Sequence, residues 1–260
     1  MGEGGGALTK NSPGPPPKIQ QGNNMALLEI RDITSGYGEV QILWGVTLNL
    51  EEGKLTTLVG SNGVGKTTLL STVMGLLRPW EGSVTFQGRD VTRLSPHGRA
   101  KEGMVLVPEG RQLFTDMTVY ENLEMGAFSR RGRPHLKRNL ERVFTLFPRL
   151  KERLHQKAGT LSGGEQQMVA VARGLMAEPE ILMLDELSLG LSPLLALHLF
   201  EALQKLRGEG LTMLLVEQNV AMALAVSDYA YVLSQGKVWL EGEARHLLKN
   251  DDVRRAYLGI

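Results

Sequence analysis

The run Gly60-Ser61-Asn62-Gly63-Val64-Gly65-Lys66-Thr67 has the residue types and spacing to hold a chain of phosphates. Its glycines let backbone N–H groups converge on phosphate oxygens. Lys66 brings a cation for the β- and γ-phosphates, and the Thr67 hydroxyl, with Thr68 beside it, is a ligand type suited to Mg²⁺. The context is right as well. The apolar run Leu55–Val59 reads as a buried strand entering the turn, and a helix predicted from Lys66 to Leu77 adds its positive dipole end.

A second chemical element lies downstream. Ile181-Leu182-Met183-Leu184 is an apolar strand that delivers two carboxylates, Asp185 and Glu186, at its end. Asp185 is placed to hold a metal ion, and Glu186 to polarise an attacking water as general base. Between the two lies Leu161-Ser162-Gly163-Gly164-Glu165-Gln166-Gln167, at the start of a helix predicted for Gly163–Ala177. Ser162 suits the cap of that helix, and the N–H groups of Gly163 and Gly164 suit a phosphate.

The elements that must position these residues alternate. Strands are predicted at Leu27–Ile33, Leu55–Val59, Ser83–Gln87, Met104–Val107, Ile181–Leu184 and Leu211–Val216. Helices follow at Pro193–Arg207 and near Val220–Val226, and a hairpin at Tyr229–Leu233 and Lys237–Leu240. The pattern predicts an α/β fold: a P-loop NTPase core with a largely parallel sheet covered on both faces and antiparallel β elements at its margins. The stretch 110–160 reads as a helical subdomain inserted into that core, so that a single domain runs over 25–260. Residues 1–24, rich in Gly and Pro, form a predicted extension too poor in large apolar residues to order itself.

Composition bounds the rest. The 260 residues carry Lys+Arg 29 against Asp+Glu 28, so no global field marks a nucleic-acid binder. With no cysteine there is neither a disulfide framework nor a thiolate metal site, which suits a reducing cytoplasm. The five histidines show no ligand spacing. The most apolar long stretch, 181–200, is interrupted by Asp185, Glu186 and Pro193 and is no membrane span.

Taken together, the phosphate loop, LSGGEQQ and Asp185-Glu186 resemble the ATP-binding subunits of ABC transporters, over Met25 to the C-terminus. The resemblance implies ATP and Mg²⁺ as cofactors and a head-to-tail dimer with a second ATPase. In that dimer Ser162, Gly163, Gly164 and Glu165 contact the nucleotide held by the opposite subunit. It implies that Tyr37, in Gly36-Tyr37-Gly38, stacks on adenine, and that Ser188–Pro193 touches the partner. It further implies two separate permease subunits, which hold the chain at the cytoplasmic face of the membrane, and no nucleic acid.

Two positions depart from the family pattern. Glu109 stands after Val107-Pro108 where a Gln reaching the metal and the water is usual, and Gln218 stands where a His contacting the γ-phosphate is usual. Glu109 can still bind Mg²⁺ but adds negative charge beside Asp185 and Glu186. Gln218 donates a hydrogen bond but never carries a proton charge. The residue types leave both impaired hydrolysis and simple isofunctional replacement open. The runs VPEGRQLF, MTVYENL, LLVEQNV and AYLG are similar to the LivF-type ATPases of branched-chain amino acid importers. That group implies a LivG-type partner ATPase, or a second copy of the chain, and an extracytoplasmic solute-binding protein. Importers of urea or short amides are the alternative within the class. A soluble ABC-fold ATPase acting on nucleic acid or ribosomes is the alternative outside it, and a phosphoryl-transfer kinase would leave LSGGEQQ without a role. The basic run Arg130–Arg133 reads as a solvated face or as a neighbour of anionic headgroups.

Overall fold

A computed structural model describes residues 26–258; the extension predicted for 1–24 lies outside them. The described residues begin with two long antiparallel strands, β1 (Ala26–Tyr37) and β2 (Val40–Glu51), then β3 (Leu55–Val59) and α1 (Lys66–Val73). Next come β4 (Glu81–Phe86), β5 (Arg89–Asp90), α2 (Pro96–Lys101) and β6 (Met104–Val107). Helices α3 (Val119–Gly126), α4 (Leu136–Leu146), α5 (Pro148–Glu152) and α6 (Gly163–Met176) follow without an intervening strand. The last third is β7 (Ile181–Asp185), α7 (Pro193–Gly208), β8 (Thr212–Glu217), α8 (Val220–Val226) and the hairpin β9 (Tyr229–Ser234) and β10 (Lys237–Glu243), with short helical turns after it.

Two sheets result. The larger has the order β10-β9-β3-β8-β7-β6, parallel throughout except for its edge strand β10. The smaller is the antiparallel set β2-β1-β4-β5. Strands β3, β7 and β8 are buried at every residue, because neither face of the large sheet meets water at these central strands. Alternate residues of one strand still serve different cores. Leu182 and Leu184 pack with α6, α7 and α8, whereas Ile181 and Met183 pack with β1, β2, β4 and α1. One face is therefore roofed by helices. The other is roofed by α1 and the antiparallel sheet, a layer whose strand β2 the sequence reading did not assign. Tyr231 ties the layers: its hydroxyl donates to the Asn49 carbonyl at 3.1 Å and accepts from the Asn49 amide at 2.9 Å.

The helix after the phosphate loop is shorter than predicted, ending at Val73 rather than Leu77. Gly75 takes φ 75°, and the amides of Leu76 and Gly75 fold back onto the carbonyls of Ser71 (2.8 Å) and Thr72 (3.0 Å). This is a Schellman motif, which satisfies the last carbonyls of the helix while turning the chain away. Arg99 completes the cap from a distance. It is fully buried, and its guanidinium donates to the carbonyls of Thr72 (2.9 Å), Val73, Thr92 (2.7 Å) and Leu94 (3.3 Å).

Candidate nucleotide site

The phosphate loop leaves β3 at Val59 and enters α1 at Lys66, and two of its glycines are required by geometry. A Cβ on Gly60 would lie 2.4 Å from the Leu233 carbonyl oxygen on β9. Gly65 caps α1 with φ 108°, and a Cβ there would meet the Leu43 side chain at 2.8 Å. The loop therefore sits wedged between the two sheets.

Lys66 is buried, and its ammonium is held within the loop. It donates to the carbonyls of Gly60 (2.7 Å) and Ser61 (3.1 Å) and lies 3.1 Å from Glu186 Oε1. The other carboxylate oxygen of Glu186 accepts from the Gln218 backbone amide at 3.2 Å. Glu186 sits at φ 49°, left-handed for a residue with a side chain, directly after its own amide has bonded the Val216 carbonyl at 2.9 Å. The turn aims its carboxylate across the sheet end toward Lys66.

Asp185 lies just behind, 2% exposed. Burial pushes its carboxyl up to about 6; Glu186 and Glu109 add to the rise, and the Thr67 hydroxyl and Lys66 oppose it. Its Oδ1 is buried without a hydrogen-bond partner among the described residues. Such an orphaned carboxylate oxygen beside a threonine hydroxyl fits a hard cation that draws its other ligands from phosphate and water. No cluster of three or more His, Cys, Asp or Glu that could hold a metal ion occurs among the described residues.

A pocket of about 340 Å³ opens over the loop. Of the residues predicted from sequence, it brings together Asn62, Gly63, Gly65, Lys66, Thr67, Thr68, Glu109, Glu186 and Gln218. Gly60, Ser61 and Val64 belong to the same loop without lining the pocket, and Asp185, directly before Glu186, does not line it either. Tyr37, half exposed at the end of β1, does not line the pocket. Ile42 and Leu189 line it and were missed. Ile42 is on the unassigned strand β2, and Leu189 lies in the run Ser188–Pro193, which the sequence pointed to a partner rather than to the pocket. Glu217 was also missed. Fully buried at the end of β8, its carboxyl is raised by burial and accepts from the Ser188 amide (2.9 Å) and hydroxyl (2.8 Å). The available signal was a carboxylate directly after the largely apolar run 211–216.

The residues Ser162 to Glu165 do not line this pocket. They form the start of α6, closed by a capping box. Ser162 donates from its amide (3.0 Å) and hydroxyl (2.8 Å) to Glu165 Oε2, and the Glu165 amide returns to Ser162 Oγ at 3.4 Å. Burial opposes charge on Glu165, but Ser162 and Arg153, 2.6 Å away, outweigh it and hold the carboxyl below its usual range. Ser162 itself is exposed. The chain thus carries a pocket over its glycine loop and, apart from it, a helix start whose capping serine is exposed.

The site and fold define a phosphate-loop nucleotide-binding protein, and comparison with known proteins narrows the class. The family model described as ABC transporter matches residues 43–188. The branched-chain amino acid transport ATP-binding protein BraG of Pseudomonas aeruginosa is 43% identical over 233 residues, 90% of this chain and 100% of the relative. The probable branched-chain amino acid transport ATP-binding protein LivF of Archaeoglobus fulgidus is 39% identical, over 90% of this chain and 99% of that protein. Among solved structures, a dimeric ATP-binding cassette in a post-hydrolysis state, bound to ADP and Pi, superposes with a TM-score of 0.75 at 26% identity. It covers 84% of this chain and 99% of the other. The chain belongs to the ABC transporter family, as an ATP-hydrolysing subunit.

Proposed function

We propose that this chain energises the import of branched-chain amino acids by binding and hydrolysing ATP in a head-to-tail pair with a second ATPase. The observation that carries the pairing is the separation just described: the phosphate pocket and the Ser162–Glu165 helix start do not meet within one chain. Each is half of a composite site. The dimeric relative bound to ADP and Pi, and the transport named for the two sequence relatives, support the reading.

In each composite site the loop from Gly60 to Thr68 cradles the phosphates and Lys66 neutralises their charge. Thr67 and Asp185, with Glu109 within reach of the same pocket, would hold Mg²⁺, which when bound shields the phosphate charge and lowers the cost of attack. Glu186 takes the proton of the attacking water, held in aim by Lys66 and the Gln218 amide. Tyr37 stacks on adenine. Ser162, Gly163 and Gly164 close on the nucleotide of the partner, and Glu165 keeps that helix start rigid through its bonds to Ser162.

No helix among the described residues is long and apolar enough to cross a membrane. The channel is therefore assigned to two permease subunits, which hold this chain at the cytoplasmic face. A LivG-type ATPase completes the pair, and an extracytoplasmic binding protein selects the solute. Reconstituting the co-purifying complex in vesicles tests the assignment: ATP-driven uptake of leucine, isoleucine or valine is expected, and uptake of urea instead would overturn the substrate. For the chemistry, Glu186→Gln should keep ATP binding, lower turnover by about a hundredfold or more and accumulate the closed dimer. Turnover at the wild-type rate would remove Glu186 as the base.

A further inference from the structure

The loop that follows Glu186 is held by a group that plays no part in binding phosphate. Strands β7 and β8 run in parallel, with Asp185 beside Val216, and the Glu186 amide extends the ladder to the Val216 carbonyl. The chain then turns through φ 49° at Glu186, a left-handed conformation that is strained for a side-chain-bearing residue and needs support on both sides. On the near side the support is the ladder bond. On the far side it is Glu217, whose two carboxylate oxygens accept separately from the amide (2.9 Å) and hydroxyl (2.8 Å) of Ser188. The next residue along β8, Gln218, gives its backbone amide to Glu186 Oε2. One short stretch of β8, Glu217 and Gln218, thus fixes both the turn beyond Glu186 and the carboxylate itself.

We propose that Glu217 is a positioning residue for ATP hydrolysis, which through its paired hydrogen bonds to Ser188 locks the Glu186 turn and so aims the Glu186 carboxylate at the attacking water. The proposal rests on the reading of Glu186 as general base. Nothing in this role requires Glu217 to touch nucleotide: it is fully buried and does not line the pocket. Removing it frees the turn without altering the phosphate loop, so the loss falls on turnover rather than on ATP affinity. A glutamine at 217 keeps both bonds to Ser188, since its carbonyl accepts from the amide and its NH₂ donates to the hydroxyl.

The test measures, in the assembled transporter complex, the share of ATP turnover that disappears on Lys66→Ala, which isolates this chain's own phosphate loop. Nucleotide affinity is measured in parallel with a fluorescent ATP analogue. Glu217→Ala should lower that turnover about ten- to a hundredfold, as small misplacements of a reacting group do, with affinity within about twofold. Glu217→Gln should restore most of it. Ser188→Ala, which keeps the amide and loses the hydroxyl at a half-buried position, should give a smaller loss of the same kind even if Glu217→Ala fails to fold. Wild-type turnover in Glu217→Ala or in Ser188→Ala would overturn the proposal, as would a Gln variant as impaired as Ala, or affinity falling in step with turnover. Glu186→Gln run alongside separates the two claims. If it is inactive while Glu217→Ala is normal, only the positioning role fails; if it is fully active, the base assignment fails first.

Discussion

Asp185 is a carboxylate held against its own solvation, because the fold buries it beside Glu186 and Glu109 and leaves one oxygen without a partner. That has a measurable consequence in the nucleotide-free, metal-free protein. Its pKa is about 6 in the fold against 3.8 unfolded, so the native state binds the proton more tightly. The stability associated with that proton is complete below about pH 4 and is lost as pH rises through about 6. Asp185→Asn removes the ionisable group while keeping the size. It should raise the melting temperature at pH 8, by an amount equivalent to at most about 3 kcal/mol. The gain should shrink toward zero as pH falls to 4, while Mg²⁺-dependent turnover is lost. A gain independent of pH would mean that burial of this charge is not the cause. Residues such as Lys66 and Glu186 were legible because their spacing from a glycine loop or a strand end defines their use. Glu217 was not legible in that way, since its partner Ser188 is brought to it only by the parallel pairing of β7 with β8.

At the scale of elements, α1 depends on what stops it. The loop before it and the Schellman turn after it leave only Lys66–Val73 helical, so the dipole presented to phosphate comes from a short element anchored at both ends. Arg99, remote in sequence, satisfies the carbonyls of Thr72 and Val73 at its C-terminus and joins them to those of Thr92 and Leu94. Arg99→Met keeps bulk but leaves these buried acceptors unpaired, at a cost of about 2–4 kcal/mol. For a chain of this size a drop in melting temperature on the order of 5–10 °C is expected, with ATP affinity reduced through the loosened helix. An unchanged melting curve would show that water or neighbouring groups replace the guanidinium. The sequence carried the start of α1 in its glycines but placed the end at Leu77. The Gly75 turn is set by packing against Leu94 and Arg99, which local pattern does not show.

In the whole molecule, the pocket and the Ser162 helix start lie apart, so in the proposed pair each would serve a different ATP and the two sites of a mixed pair need not be equal. The chain's own pocket is lined by Glu109 and Gln218. The first adds negative charge where phosphate and base already crowd, and the second lacks a titratable proton. In the proposed pair its capping-box helix start, which would serve the partner's ATP, is complete. In a mixed complex whose partner carries Gln and His at those positions, Ser162→Arg in this chain should therefore abolish most turnover, whereas Lys66→Ala should spare the larger share. Equal losses from the two single-site variants would refute the asymmetry. This prediction could be framed from residues alone, but the reason Ser162 cannot serve its own Lys66 is tertiary: α6 starts outside the pocket that β3, β7 and β8 build.

By itself the sequence determined the chemistry and its order along the chain: a glycine loop after one buried strand, two carboxylates after another, a capped helix start between them. These are short-range patterns, and the backbone reads them locally. Only the tertiary structure decided that the smaller sheet roofs one face of the larger, because β1 pairs with β4 across the whole of β2, β3 and α1, a separation that no local periodicity encodes. The same holds for the wedge of Gly60 against Leu233 and for the anchoring of Ser188 by Glu217. Both are contacts between segments that meet only once the parallel sheet has closed, and they turn a set of suitable residues into a shaped site.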